Sequence, residues 1–408
     1  MPEDDGLNPT PDRRLFFVIN QHPLDGSAHA LYCLRNCWWL AQTRPEVEVQ
    51  LVFPGAADPG AVLRGCGLSA LPNFSLTGLP AIRRARGGSG LTINLVFYLA
   101  VTAFLTRRLR AGDWLVSASF SKLFRFLLAR RWLRQRCRAV YEVHQLTVLD
   151  DGRLSRRAQR EFVALAGADL LLATTGSLRR ELETHLPGKP VATLGLACGF
   201  VPEEQPPLRV RRAGEPFVLG YIGSLYAGQG VDWLVEHWPQ IAAAQPEPVA
   251  LEIIGGAAVE VEKLRALAAR REISGVTFHG AVPAAQLGPH LAGMDALIIP
   301  SLPVGRMPYV AITKAYDYLG LNRPVLASNL PSITEVLRPT ESYSFHAGDA
   351  AGLAVALREL VADPAEAKRR ARAAGTRAAD FNWPARAERW WQVAEAALPL
   401  GSTQPKTE

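Results

Sequence analysis

Cysteine is scarce in this chain, five in 408 residues, and no two of them form a C-x-x-C pair. Their odd number and irregular placement (33, 37, 66, 137 and 198) suggest neither a disulfide framework nor a zinc ribbon, and a reducing, cytoplasmic setting is expected. Long apolar runs are missing as well. No segment reaches the roughly 18 to 20 apolar residues of a membrane span, so LTINLVFYLAVTAFL (91–105) is expected to be a buried helix. The amino-terminal MPEDDGLNPTPDRR lacks the charged-then-apolar order of a signal peptide, and export is not expected. There is no G-x-S-x-G elbow, no G-x-x-x-x-G-K loop and no G-x-G-x-x-G fingerprint. These absences set aside the elbow hydrolases, the P-loop NTPases and the fingerprint dehydrogenases.

What is present is a well-mixed chain, 48% hydrophobic, long enough for two or three domains with substantial cores. Charge is lopsided. Residues 1–200 carry 25 Lys+Arg against 16 Asp+Glu, whereas the remainder carries 20 against 22. Arginines cluster at 83–86, 107–110, 130–138 and 153–160 in the basic half, which points to an anionic partner. No aromatic-interleaved RNA motif or zinc finger accompanies them, so nucleic acid is not expected.

Periodicity divides the chain into two α/β halves joined by PEEQPPLRVRRAGEP (202–216). In the first half LFFVIN (15–20), VEVQLVF (47–53), DWLVSAS, RAVYEVH and ADLLLATT read as buried strands separated by helix-length segments. In the second, FVLGYIG (217–223), VALEIIGG (249–256), VTFHG (276–280), DALIIPS (295–301) and PVLAS (324–328) repeat that rhythm. Both halves are expected to hold a parallel, doubly wound sheet. A last helix follows Asp380, with Pro384 in its first turn, and GSTQPKTE is expected to be a disordered tail.

The richest stretch is GRMPYVAITKAYDYLGLNRPVLASNLPSITEVL (305–337). A loop feeds a helix start near Ala311, where main-chain amides and the helix dipole favour an anionic diphosphate. Lys314 and Asp317 lie three residues apart and share a helix face. Asp317 is suited to taking two ribose hydroxyls. Upstream, GYIGSLYAGQG carries Gly223, Gly228 and Gly230 on a strand-to-helix turn, where glycine lets backbone approach phosphate closely. In the first half, RAVYEVHQL places His144 at a strand's carboxyl end, with Glu142 on the same side by alternation. His22 and His29 are weaker candidates. His185, His237, His279, His290 and His346 read as surface or structural residues, and no histidine pair has metal-ligand spacing.

The GYIGSLYAGQGVDWL loop, EIIGG, VTFHGAVP, MDALIIPS, the run KAYDYL and the following PVLAS strand, in that order, resemble the family 4 retaining glycosyltransferases. The resemblance covers nearly the whole chain and is clearest from Phe217 to Glu388. It implies the GT-B fold, α/β with two facing Rossmann-like doubly wound domains: 1–205 on the acceptor side, a linker at 206–216, a nucleotide-sugar domain at 217–383 and a crossing helix at 384–400 that returns to the first domain. It further implies transfer of a sugar from a nucleotide-diphosphate donor to an acceptor hydroxyl with retention. Catalytic candidates by this resemblance are His144, Tyr309 and Lys314. Donor-binding candidates are Gly223, Ser224, Gln229, Ile312, Thr313 and Asp317, with main-chain groups around Phe278–Val282 for the base. Gly26 and Ser27 belong to the acceptor or phosphate loop.

The chain departs from the family pattern at three positions. Tyr309 stands at the first acidic position, and Ser224 and Gln229 stand where an arginine and a lysine are usual. There is no D-x-D motif of the metal-dependent GT-A kind, so no metal and no cofactor are expected. The resemblance also favours a lipid-linked acceptor, hence a peripheral site on an anionic membrane surface as the meaning of the basic half. A sugar-nucleotide epimerase or phosphorylase on the same scaffold, and a GT-B binding or scaffold protein without catalysis, are the alternatives.

Overall fold

A computed structural model describes residues 13–399, apart from 25–26, 83–94, 119–136 (of which only 123 and 127 are described), 152–153, 213 and 284–285. The first lobe runs β1 (Arg13–Val18), α1 (Ala28–Thr43), β2 (Val47–Pro54), α2 (Pro59–Gly65), β3 (Phe74–Leu79), α3 (Leu95–Arg108), β4 (Asp113–Ser117), β5 (Cys137–Val143), α4 (Val148–Asp151), α5 (Arg156–Ala166), β6 (Leu170–Ala173), α6 (Gly176–His185) and β7 (Val191–Thr193). The second runs β8 (Phe217–Ile222), α7 (Val231–Ala243), β9 (Val249–Ile254), α8 (Ala258–Arg270), β10 (Val276–Gly280), α9 (Leu287–Gly293), β11 (Ala296–Ile299), α10 (Thr313–Gly320), β12 (Val325–Ser328), α11 (Pro331–Thr334), β13 (Tyr343–Phe345), α12 (Ala350–Ala362) and α13 (Pro364–Ala378). The last helix is α14 (Trp383–Ala397).

Two all-parallel sheets result, ordered β3-β2-β1-β4-β5-β6-β7 and β10-β9-β8-β11-β12-β13. Parallel strands bury both faces, which is why β4, β6, β11 and β12 are buried at every residue. Strand order reverses between β1 and β4 in one sheet and between β8 and β11 in the other, the places where open α/β sheets put ligands. The first sheet has two more strands at its margins, and the second one more, than the apolar runs suggest. β3, β7 and β13 are edge strands, short or only partly buried, so they lack the continuous apolar signature.

Residues 91–94 lie outside the described residues, and from Leu95 onward this stretch forms α3, which is only half covered. Phe97, Tyr98, Val101 and Leu105 of α3 are buried, while Leu95, Val96 and Leu99 face solvent. Arg107, Arg108 and Arg110 just beyond them are exposed, as are Arg156, Arg157 and Arg160 of α5. The clusters at 83–86 and 130–136 lie outside the described residues. Among the described residues, no helix is long and apolar enough to cross a membrane.

The last helix, α14, packs on α1 of the first lobe. Asn382 caps it, its side chain accepting from Ala385 N at 2.8 Å, with a proline in the first turn. Trp390 and Trp391 are fully buried in the first lobe's core beside Trp114. Removing either ring would cost about 3–5 kcal/mol, so the helix is a structural part of the first lobe.

Candidate active site

The second-lobe wall begins at β8. Its last residues turn through Gly223, Gly228 and Gly230, all at positive φ. A Cβ on Gly230 would stand 1.9 Å from the Pro300 carbonyl oxygen, and one on Gly223 2.9 Å from Lys314 Nζ. The turn is therefore closed to any larger residue, and Lys314 lies directly against it. Lys314 is buried, its ammonium 5.0 Å from the centre of the Tyr221 ring. Burial lowers its pKa to about 8, with Asp317 opposing.

One helical turn on, Asp317 accepts from the Gly199 amide at 3.0 Å, and burial raises its pKa to about 6 against Gly199 and Lys314. Helix α10 begins at Thr313, two residues later than the sequence suggests, and Ile312 provides no side-chain cap. The dipole at that end is open to an external anion. Ser224 is exposed on the glycine turn. Gln229 is buried, and its Oε1 has no hydrogen-bond partner, so its amide lies within the fold and not on the turn's outer surface.

The first-lobe wall is centred on β5. Glu142 is buried and accepts from Tyr32 Oη at 2.8 Å, Asn36 Nδ2 at 3.1 Å and Trp390 Nε1 at 2.9 Å, and it pairs with Arg386 at 3.1 Å. Arg386 also donates to Asn36 Oδ1 and the Gly195 carbonyl. Burial alone would raise the Glu142 carboxyl, but Arg386, then His144 and Tyr32, override it and hold it at about 2. His144 stands over this network, Nε2 3.6 Å from Glu142 Oε2, its ring edge to face with His29 and Tyr32. Burial, reinforced by His144, lowers the His29 pKa to about 4, so that ring is neutral near neutrality.

The two walls meet around a cavity of about 330 Å³, into which His144, His29, Tyr32 and Arg35 come from one lobe and Thr313 and Asp317 from the other. A second cavity, of about 290 Å³, lies on the first-lobe side of His29 and His144, lined also by Gln21, Gln145 and Glu161. The two histidines form the partition. Ser27 is the N-cap of α1 and donates to Gln21 Oε1 beside this second cavity, whereas Gly26 lies outside the described residues.

Contacts beyond the cavity hold the lobes together. Arg306 donates to Gln145 Oε1, and the Tyr309 carbonyl accepts from the Thr175 hydroxyl, while Tyr309 packs against the first-lobe cluster that includes Tyr141, Leu146, Phe162 and Leu178. Glu335 caps α6 from across the cleft, accepting from the amides of Gly176 at 2.7 Å and Ser177 at 3.0 Å. Arg323, fully buried, donates to the carbonyls of Pro206, Pro207, Leu291 and Met294, so this cation anchors the linker.

Of the residues singled out from sequence, the fold unites His144, Thr313 and Asp317 at one cavity and Gly223 and Lys314 behind it. Tyr309 is drawn into the interlobe contact and Gln229 into the core. Sequence reading missed Arg386 and Trp390 as partners of Glu142. The available signal was a lone arginine and a tryptophan pair on the apolar face of a terminal helix.

Residues 216–363 match the family model described as "Glycosyl transferases group 1". The chain is 29% identical over 259 residues to glycogen synthase of Mycobacterium tuberculosis, a match covering 62% of this chain and 61% of that relative's length. Among solved structures it resembles sucrose-phosphate synthase from Thermosynechococcus elongatus (TM-score 0.70, 18% identity, 94% of this chain and 98% of that one). It also resembles Anabaena HepE in complex with UDP and glucose (TM-score 0.67, 14% identity, 94% and 99%). The chain therefore has the GT-B fold, and its second lobe carries the group 1 glycosyltransferase family model.

Proposed function

We propose that the protein is a retaining glycosyltransferase that moves a sugar from a nucleotide-diphosphate donor to an acceptor hydroxyl, with charge on the leaving diphosphate carried by protein groups. The observation that carries the reading is α10: its uncapped start and Lys314 border the glycine turn, while Thr313 and Asp317 of the same helix face His144 across the cavity. HepE, a structural neighbour, is described in complex with UDP and glucose, which supports a nucleotide sugar as donor.

In this mechanism Lys314 and the first-turn amides of α10 stabilise the negative charge that grows on the diphosphate as the anomeric bond breaks. Binding an anion favours the ammonium form of Lys314 and draws its pKa back upward. Asp317 takes the ribose hydroxyls, exchanging its bond to Gly199 for them. His144, braced on Glu142, faces the sugar, and the acceptor hydroxyl enters on the face the leaving group vacates. No metal is assigned to the transfer step. An acceptor in cell-surface glycan or glycolipid synthesis, lipid-linked and met on the inner face of a membrane, fits the exposed arginines at 107–110 and the solvent-facing Leu95, Val96 and Leu99 of α3.

Thermal-shift screening against UDP-, GDP- and ADP-sugars, followed by product analysis with the best donor, tests the proposal. A selective shift with one nucleotide and a product of retained configuration support it, and the absence of any shift contradicts it. A second reading, a binding protein without turnover, is favoured by the burial of Gln229 and the engagement of Tyr309 with the opposite lobe.

A further inference from the structure

Away from the cleft, three side chains from three elements converge at the β9–β10 margin of the second sheet. Glu252 lies on β9, His279 on β10 and His290 on α9, and one ligand atom from each lies within 4.8 Å of the others. His279 Nε2 is 3.3 Å from Glu252 Oε2, and the two imidazoles meet edge to face with centroids 4.6 Å apart. That nitrogen is buried, yet its geometry satisfies no hydrogen bond.

The backbone places His279 there by an irregularity. β10 pairs Phe278 with Ile253 and then Gly280 with Ile254, so His279 is the extra residue of a bulge. Bulges re-aim a side chain at the cost of one ladder position. Sequence spacing gives no hint of such a cluster, because the ligands come from separate elements.

Two ligands bound to one zinc-type ion at about 2.0–2.2 Å stand roughly 3–3.5 Å apart, the separation already present between His279 and Glu252. Two imidazoles and one carboxylate suit zinc, nickel, cobalt or copper, whereas calcium and magnesium call for oxygen ligands. The neighbouring cation Arg209 is paired with Asp295 at 2.8 Å, and it senses Glu252 only at longer range.

We propose that Glu252, His279 and His290 form a divalent transition-metal site, with water completing the shell, that fastens the edge strand β10 and helix α9 to β9. The site is structural and separate from the transfer chemistry. It adjoins the donor wall nonetheless: Gly280, next to His279, accepts from the Gly255 amide at 2.7 Å, and a Cβ on Gly255 would stand 2.0 Å from the Gly223 carbonyl oxygen. Metal binding would stiffen the ladder behind the glycine turn.

Calorimetry of the full, untagged chain with Zn2+, paired with Co2+ absorption, tests this directly. One equivalent is expected, with affinity falling by more than about tenfold in His279→Gln and in His290→Gln. His237→Gln, whose ring bonds the Trp233 carbonyl outside the cluster, and His144→Gln, in the cleft, should both keep that equivalent. Zinc X-ray absorption on the wild-type protein covers the case in which the cluster variants fail to fold, and it should show two imidazoles with oxygen ligands. No stoichiometric binding, binding unchanged in His279→Gln and His290→Gln, or a zinc shell without an imidazole pair would overturn the proposal.

Discussion

On the second-lobe wall the groups proposed to face the donor come from two short stretches, the turn Gly223–Gly230 and the first two turns of α10, and each is placed by local backbone geometry. On the first-lobe wall His144 rests on Glu142, whose partners Tyr32, Asn36, Arg386 and Trp390 are drawn from α1 and from α14, the last of them 248 residues away in sequence. One wall holds two buried charges with shifted pKa values, Asp317 at the cavity and Lys314 behind it, which a ligand can rebalance. The other holds a fully paired ion network behind its histidine, which resists change. On the proposed function, donor recognition falls to α10 and rigidity to the crossing helix.

The largest effect should come from the rigid wall. Arg386→Ala leaves the Glu142 charge buried and unpaired, and chemical denaturation should show a loss of about 3–5 kcal/mol. The same network carries an acid dependence. Glu142 is held near 2 in the fold against an ordinary value of 4.5, so its contribution is present above about 4.5 and is lost as the pH falls towards 2. Glu142→Gln should flatten that part of the acid unfolding profile. An Arg386→Ala protein as stable as the wild type would remove the distinction between the walls.

On the adaptable wall, Asp317→Ala should weaken nucleotide-sugar binding by about 1–3 kcal/mol in calorimetry, with the fold retained. Binding should also follow a bell in pH. It rises as Asp317 ionises through about 6 and falls as Lys314 loses its proton through about 8. Lys314→Gln should erase the alkaline limb. Affinity that is flat from pH 5 to 9 would place neither group at the donor.

The smallest effect belongs to the contact between the walls. Glu335→Gln removes the charge that caps α6 from the opposite lobe, and should cost about 1 kcal/mol in denaturation. It should also raise protease sensitivity at the Arg306–Tyr309 loop, which shares that interface. Unchanged stability together with unchanged proteolysis would show that the Glu335 cap does not help hold the lobes together.

How much of this was legible in the sequence follows from the same contrast. The central strands β8, β11 and β12 announce themselves because parallel strands covered on both faces are almost continuously apolar, β9 because only Glu252 interrupts its apolar run, and Lys314 with Asp317 because helical spacing is local. The edge strands β3, β7 and β13 were invisible for the converse reason, being short or half exposed. The pairing of Glu142 and Arg386 spans 244 residues, beyond any periodicity. Gln229 shows a further limit: the glycine turn was recognised, but the direction of one side chain within it depends on packing against other elements.

The central claim is that the two walls form one transfer site, and product formation with a bound donor, measured over lipid-linked and soluble acceptors, tests it most directly. The account predicts that the native protein turns over, that His144→Ala loses transfer while still binding donor, and that Lys314→Ala loses both. It would be contradicted if the native protein bound donor yet gave no product with any acceptor, and Tyr309→Glu then gained turnover.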